Sequence, residues 1–167
     1  PQGFSTTLLQ DAGGVTRGSV TSESCTADEV SAAETDLVTA LEDGTKCMRR
    51  LGLGAIGTQI AGKVTKDGVV FRCGATSDCA QVDIIDSLTH GALPTKVGIN
   101  LGPKFFTGEG SCSNGPMVLF HELLHTGFGD WHARSLDRND KASLATDRVY
   151  SCADMCFRPA EVSRRSC

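Results

Sequence analysis

The sequence predicts a single α+β domain that is cross-linked by disulfides. Its 167 residues, 40% hydrophobic and 22% charged, have the length and composition of one globular domain spanning 1–167. Helical patterns lie on both sides of a stretch of strand-like patterns, without regular strand–helix alternation, which favours α+β over a doubly wound fold. Eight dispersed cysteines contain no C-x-x-C pair and predict four disulfides, hence an oxidising compartment, in preference to buried free thiols.

The first third of the chain predicts one long helix after an irregular or weakly extended segment over 1–24. Thr26 and Glu29 have the spacing of a capping box, in which the two side chains satisfy backbone N–H groups at a helix start. Apolar residues then recur at the spacing of one helix face. The pattern is compatible with an end at Gly44 or a continuation to Leu51.

The middle of the chain predicts a small, mostly antiparallel sheet. Four glycines over 52–62 are expected to interrupt the helix, and the turn residues 66–68 predict a hairpin between strands at 63–65 and 69–73. Residues 82–85 fit a strand or a short helix. Residues 96–101 alternate cleanly and end at a Gly-Pro pair, which predicts an edge strand. Among the cysteines, Cys73–Cys79 is suggested as a local pair that would close a short loop.

The last third predicts two helices, of which the first carries the most informative motif. Pro116 suits a first helical turn, and Gly127 with Gly129 suits the helix end, with a further helix in part of 141–156. Between Pro116 and Gly127 lies His-Glu-Leu-Leu-His, an HExxH motif at 121–125. Three of the four histidines fall at 121, 125 and 132, so histidine is concentrated here and nearly absent elsewhere.

The HExxH spacing predicts a catalytic zinc site. Residues four apart project from the same helix face, so His121 and His125 can bind one ion. Glu122 is then placed to act as general base on a water activated by the metal. The alternative is a pair of ordinary solvated or core histidines. His90, alone in a predicted loop, is expected not to be a ligand.

Two further segments resemble the aspzincin zinc metalloendopeptidases, the deuterolysin and peptidyl-Lys metallopeptidase families. Their G-T-x-D-x-x-Y-G motif is similar to Ala145-Thr-Asp-Arg-Val-Tyr-Ser151, which keeps the D-x-x-Y spacing but lacks both glycines and the residue between Thr and Asp. Their I-x-L-C-P-x-F-F stretch is similar to Ile99-Asn-Leu-Gly-Pro-Lys-Phe-Phe106, with glycine in place of cysteine. The resemblance covers about residues 97–156.

The resemblance implies a zincin-like fold with the HExxH helix beside the sheet, and a zinc-dependent endopeptidase activity. It implies that Asp147 is the third zinc ligand and that Tyr150, the only tyrosine, stabilises the transition state. Without it, Asp147 is interpreted as a helix N-cap and Tyr150 as a half-buried packing residue. In such peptidases an extended substrate pairs with an edge strand beside the metal, which assigns that role to 96–101.

A rival third ligand is His132, which would make the site metzincin-like. The metzincin pattern HExxHxxGxxH is matched only with one extra residue, so Asp147 is preferred. Asp130, Asp137 and Asp140 are weaker candidates. Two non-peptidase alternatives are a zinc-stabilised binding or toxin module and a metal-free disulfide scaffold; the scaffold leaves Glu122 unexplained.

Charge and hydropathy limit the partners. A formal net charge of −4 gives no basic face for nucleic acid, and no apolar run approaches a membrane span. We expect a secreted monomer acting on protein or peptide substrates. The chain begins at Pro1 without a signal-like leader, which predicts the mature form of a processed protein or a domain of a longer precursor.

Overall fold

The computed structural model describes residues 4–10, 16–83, 97–128, 147–158 and 167. The strands are β1 Phe4–Gln10, β2 Thr16–Glu23, β3 Val69–Cys73, β4 Ala80–Asp83 and β5 Val97–Leu101. The helices are α1 Ala27–Arg50, α2 Gly54–Asp67, α3 Pro103–Thr107, α4 Gly115–Phe128 and α5 Arg148–Phe157, with a 3₁₀ turn at Gly110–Cys112. This confirms the α+β class.

The described strands form one mixed sheet in the order β1-β2-β3-β5-β4. Two of these four pairings, β2 with β3 and β3 with β5, are parallel, whereas β1 with β2 and β4 with β5 are antiparallel. The expectation of a mostly antiparallel sheet is therefore wrong. The helices α1 and α2 together form the long connection that a parallel β2–β3 pair requires.

The segment after α1 is a second helix, which includes the expected first hairpin strand at 63–65, so that strand prediction is wrong. The predicted interruption of the first helix is confirmed, because α1 ends before Gly52. Ile60 and Val64 lie one turn apart on α2 and are almost completely buried. Burial of this apolar face outweighs a cost of about 1 kcal/mol for each helical glycine. The predicted strand at 69–73 is confirmed as β3.

The first helix begins as the capping box predicts and follows the longer of the two expectations. Thr26 Oγ1 accepts the N–H of Glu29 at 3.2 Å, and a Glu29 carboxylate oxygen accepts the N–H of Thr26 at 2.9 Å. The helix continues through Gly44 to Arg50. Gly44 is buried because α1 crosses the Phe120 ring of α4 here, with no room for a Cβ between them.

The strand at 97–101 is interior rather than at the edge, which corrects the sequence-based expectation. β5 pairs with β3 on one side and with β4 on the other, so β4 is the outer strand at this end of the described sheet and β1 is the outer strand at the other end. The alternation of apolar residues along 97–101 indicates that one face of the strand is buried. Edge and interior strands share this pattern, so it does not distinguish between them. The ambiguous segment that begins near residue 82 is strand as far as Asp83.

The sheet buries one face against the helices and keeps polar residues on the other. Rows of register partners on the inner face join Val20, Val69 and Val97, and also Phe71 and Ile99. These residues form one core with apolar side chains of α1, α2, α4 and α5. The core positions α4 directly against the sheet at β4.

Four disulfides join all eight cysteines, as the sequence predicts. The pairs are Cys25–Cys73, Cys47–Cys156, Cys79–Cys112 and Cys152–Cys167. The suggested Cys73–Cys79 pair is wrong, because Cys73 ends β3 facing Cys25 while Cys79 precedes β4 facing the 3₁₀ turn. Within the described ranges, no helix combines the length and apolar character needed to cross a membrane.

Candidate active site

The HExxH motif lies in the middle of α4, which is anchored from both ends. Asn114 begins the helix: its side-chain Oδ1 accepts the N–H of Met117 at 3.0 Å, and Pro116 occupies the first turn. At the other end, the Arg148 guanidinium stacks 4.2 Å from the centroid of the Phe128 ring. Leu119, Leu123 and Leu124 are fully buried in the core. The helix therefore has little freedom to rotate, and its histidines have a defined direction.

The two histidines and the glutamate between them form a compact, largely buried group. The ring centroids of His121 and His125 are 5.2 Å apart, as expected for neighbours one turn apart. His125 is 6% exposed and Glu122 8% exposed, whereas His121 is partly exposed. One Glu122 oxygen, Oε1, lies 4.0 Å from His121 Nε2. Two imidazole rings and one carboxylate thus share a site that is open to solvent at His121.

The second oxygen of Glu122 is bound by the sheet. The backbone N–H of Val82 in β4 donates to Glu122 Oε2 at 2.9 Å, and this hydrogen bond is buried. It connects the outer strand with the centre of α4 across 40 residues of sequence. Val82 was not identified from the sequence, and no signal there could have identified it, because a backbone donor is common to all residues except proline.

Tyr150 reaches the same group from α5. Its ring centroid lies 4.4 Å from that of His121, in an edge-on arrangement. Asp147 is the N-cap of α5, and its Oδ1 accepts the N–H of Tyr150 at 3.0 Å. The D-x-x-Y spacing is therefore the spacing of an N-cap and the third residue of the helix it caps. A carboxylate has two oxygens, so this bond does not by itself exclude Asp147 as a metal ligand.

Of the three predicted zinc ligands, the structure brings His121 and His125 together and does not group Asp147 with them. His121 and His125 have the donor chemistry and helix spacing for one ion. Within the residues that the structure describes, no group of three or more His, Cys, Asp or Glu side chains is arranged to hold a metal. The rival ligand His132 lies outside the described residues, as do His90, Asp130, Asp137 and Asp140.

A separate cleft of about 760 Å³ lies beyond the N-terminal end of α4. Phe105 and Phe106 of α3 line it, together with the oppositely charged Asp36 and Arg158. It is not lined by the histidines, Glu122 or Tyr150.

Comparison of this chain with family models, with curated proteins and with solved structures found no match.

Proposed function

We propose that this chain is a secreted, zinc-dependent endopeptidase of the aspzincin type. In this proposal His121, His125 and Asp147 bind zinc, and the fold is zincin-like. Glu122 acts as general base and Tyr150 stabilises the transition state. The resemblance of the HExxH and D-x-x-Y segments to that family motivates the proposal. The four disulfides are compatible with an extracellular location.

The observation that carries the proposal is the position of Glu122. A zinc site that only stabilises a fold closes its coordination sphere with Cys or His and needs no carboxylate beside the ligands. Here a buried carboxylate has one oxygen turned towards His121 and the other bound to Val82. Burying such a group is costly, which argues for a chemical role rather than a packing role.

Each residue has a defined task in peptide hydrolysis. A zinc ion bound by the histidines would supply Lewis acidity, polarising the scissile carbonyl and lowering the pKa of a water towards neutrality. Glu122 accepts the proton from the attacking water and later delivers it to the leaving amine. The Tyr150 hydroxyl donates a hydrogen bond to the negative oxygen that develops on the carbonyl. The chain is expected to act as a monomer on protein or peptide substrates.

The substrate-pairing role assigned to 96–101 is better suited to β4. β5 is paired on both sides, whereas β4 is the outer described strand and contacts α4 directly. An extended peptide that adds to β4 would gain backbone hydrogen bonds to its outward groups other than the Val82 N–H, which Glu122 holds. β4 would therefore bring a scissile bond close to Glu122.

The test compares the wild-type protein with Glu122→Gln, each loaded with zinc, in hydrolysis of a denatured protein and of a peptide mixture. We expect Glu122→Gln to keep its zinc and to lose about 10²–10⁴-fold in kcat, the usual contribution of a general base. Metal content is measured by elemental analysis on the same samples. Cleavage sites in the peptide mixture define the specificity.

Glu42→Gln is the matched control, because Glu42 is an exposed glutamate on α1. It should hydrolyse the substrates at the wild-type rate. Undiminished hydrolysis by zinc-loaded Glu122→Gln would refute the mechanism. A wild-type protein that binds zinc but hydrolyses nothing would favour the zinc-stabilised binding or toxin module. A protein that binds no zinc would favour the metal-free scaffold.

A further inference from the structure

The register of the β4–β5 ladder determines which backbone N–H groups of β4 point away from β5 and can reach Glu122. The N–H of Gly102 donates to the carbonyl of Cys79 at 3.1 Å, which makes these residues a hydrogen-bonded pair of the β4–β5 ladder. In an antiparallel ladder such pairs alternate with pairs whose backbone groups point outwards. Gln81, opposite Asn100, therefore bonds to β5, and Val82, opposite Ile99, turns its N–H away from the sheet.

The outward N–H of Val82 meets a carboxylate rather than water. Glu122 Oε2 accepts it at 2.9 Å, at a glutamate that is 8% exposed. A hydrogen bond to a charged group in such surroundings is stronger than one between neutral groups. The Glu122 side chain has three rotatable bonds, so binding one oxygen limits where the other can lie.

We propose that the backbone N–H of Val82 is a positioning group for Glu122, holding Oε2 so that Oε1 faces the histidine pair. The inference rests on the proposed function, since positioning matters for catalysis only if Glu122 is the base. The 4.0 Å separation of Oε1 from His121 Nε2 is the geometry that this hydrogen bond maintains. Val82 does not touch the reacting atoms and acts through Glu122.

Replacing the amide at residue 82 with an ester tests this without changing a side chain. The residue is α-hydroxyisovalerate, introduced by nonsense suppression in an oxidising cell-free system. It replaces the Val82 N–H with an ester oxygen and weakens the Gln81 carbonyl as an acceptor, so the stability is measured alongside kcat. We expect kcat to fall by about tenfold, the effect of losing a hydrogen bond to a charged group. KM for a short peptide and zinc content should stay at wild-type values.

The same amide-to-ester exchange at Gln81 is the matched control. It removes an N–H from the same strand, but one directed at β5, so it lowers the stability and leaves kcat unchanged. If the residue-82 ester keeps the wild-type kcat, the inference is wrong while the proposed function stands. If the wild-type protein itself hydrolyses nothing, the proposed function is wrong and the positioning role falls with it.

Hydrogen exchange of the metal-free protein provides a measurement that does not depend on activity. The Val82 amide should exchange about tenfold faster in Glu122→Ala than in the wild type, because its acceptor is gone. Glu122→Gln should restore much of the protection, since its amide oxygen still accepts. The Gln81 amide is the internal reference. Equal Val82 exchange in all three proteins would overturn the inference even if Glu122→Ala were less stable.

Discussion

At the scale of single residues, Asp147 shows how one side chain can satisfy two interpretations. Its Oδ1 caps α5 by accepting the Tyr150 N–H, which is the role that helix-start statistics assign to aspartate. The aspzincin resemblance assigns the same residue to zinc. Both roles require it at the start of the helix that carries Tyr150, so the cap and the proposed ligand have the same place in the chain.

Asp147→Asn separates the two roles. Asparagine caps helices about as well as aspartate but lacks the charge that zinc prefers. We expect the unfolding free energy of the metal-free protein to stay within about 0.5 kcal/mol of wild type. Zinc affinity, measured by competition with a chelator, should fall by about tenfold or more, which is 1.4 kcal/mol or more. Unchanged affinity in Asp147→Asn together with zinc loss in His132→Ala would instead support the metzincin-like site.

Asp36 is a residue whose acid–base equilibrium is changed by burial. Desolvation raises its pKa above the ordinary value of 3.8. The folded protein therefore binds this proton more tightly than the unfolded chain. The stabilisation associated with it is fully present below the unfolded pKa and is lost as the pH rises through the folded pKa.

Asp36→Asn should accordingly increase the unfolding free energy near neutral pH and leave it nearly unchanged in acid, where Asp36 is itself neutral. Urea unfolding across this pH range measures the difference. Asp43→Asn, at an exposed position of the same helix, is the control. A decrease in stability for Asp36→Asn at neutral pH would mean that the charged form is favoured in the cleft and would contradict this prediction.

At the scale of elements, helix starts were predictable and strand neighbours were not. The capping box of α1 and the proline in the first turn of α4 act within one turn of helix, so the pattern is visible in a few consecutive residues. The end of α1 before Gly52 was predictable, whereas a second helix over Gly54–Asp67 was not, because glycine counts against a helix locally. The apolar face of α2 is buried against α1, β2 and α4, and these tertiary contacts are not visible in the local sequence pattern.

Two helical glycines test this difference between local preference and packing. Gly44→Ala should lower the unfolding free energy by about 1–3 kcal/mol, because the new methyl group would overlap the Phe120 ring. Gly62→Ala, with nothing near its Cβ position, should raise it by about 0.5–1 kcal/mol through helix propensity. Chemical denaturation measures both. Equal effects at the two positions would show that α1 and α4 do not approach as closely as described.

At the scale of the whole molecule, the disulfides connect elements that are distant in sequence. Cys47–Cys156 links α1 to α5 across 109 residues, whereas Cys152–Cys167 closes only 15. Cys79–Cys112 joins the start of β4 to the turn that precedes α4. The cross-links therefore hold together the same elements that carry the HExxH and Tyr150 side chains.

The number of residues that a disulfide encloses predicts how much the disulfide contributes to the unfolding free energy. Alanine at both Cys47 and Cys156 should cost about 5 kcal/mol, and alanine at both Cys152 and Cys167 about 3 kcal/mol, because longer loops restrict the unfolded chain more. Urea unfolding without reductant gives both values. The reverse order would mean that native packing around the bridges, rather than chain entropy, determines their effect.

The sequence by itself determined the features that depend on interactions within one or two turns: the cap of α1, the helix that carries His121 and His125, and the α+β class. The cysteine count also determined that the protein is disulfide-bonded. Only the tertiary structure decided which cysteines pair, that β4 rather than β5 is the outer described strand, and that Val82 binds Glu122. These depend on the total burial of apolar surface and on backbone groups that every residue carries, so no short pattern encodes them.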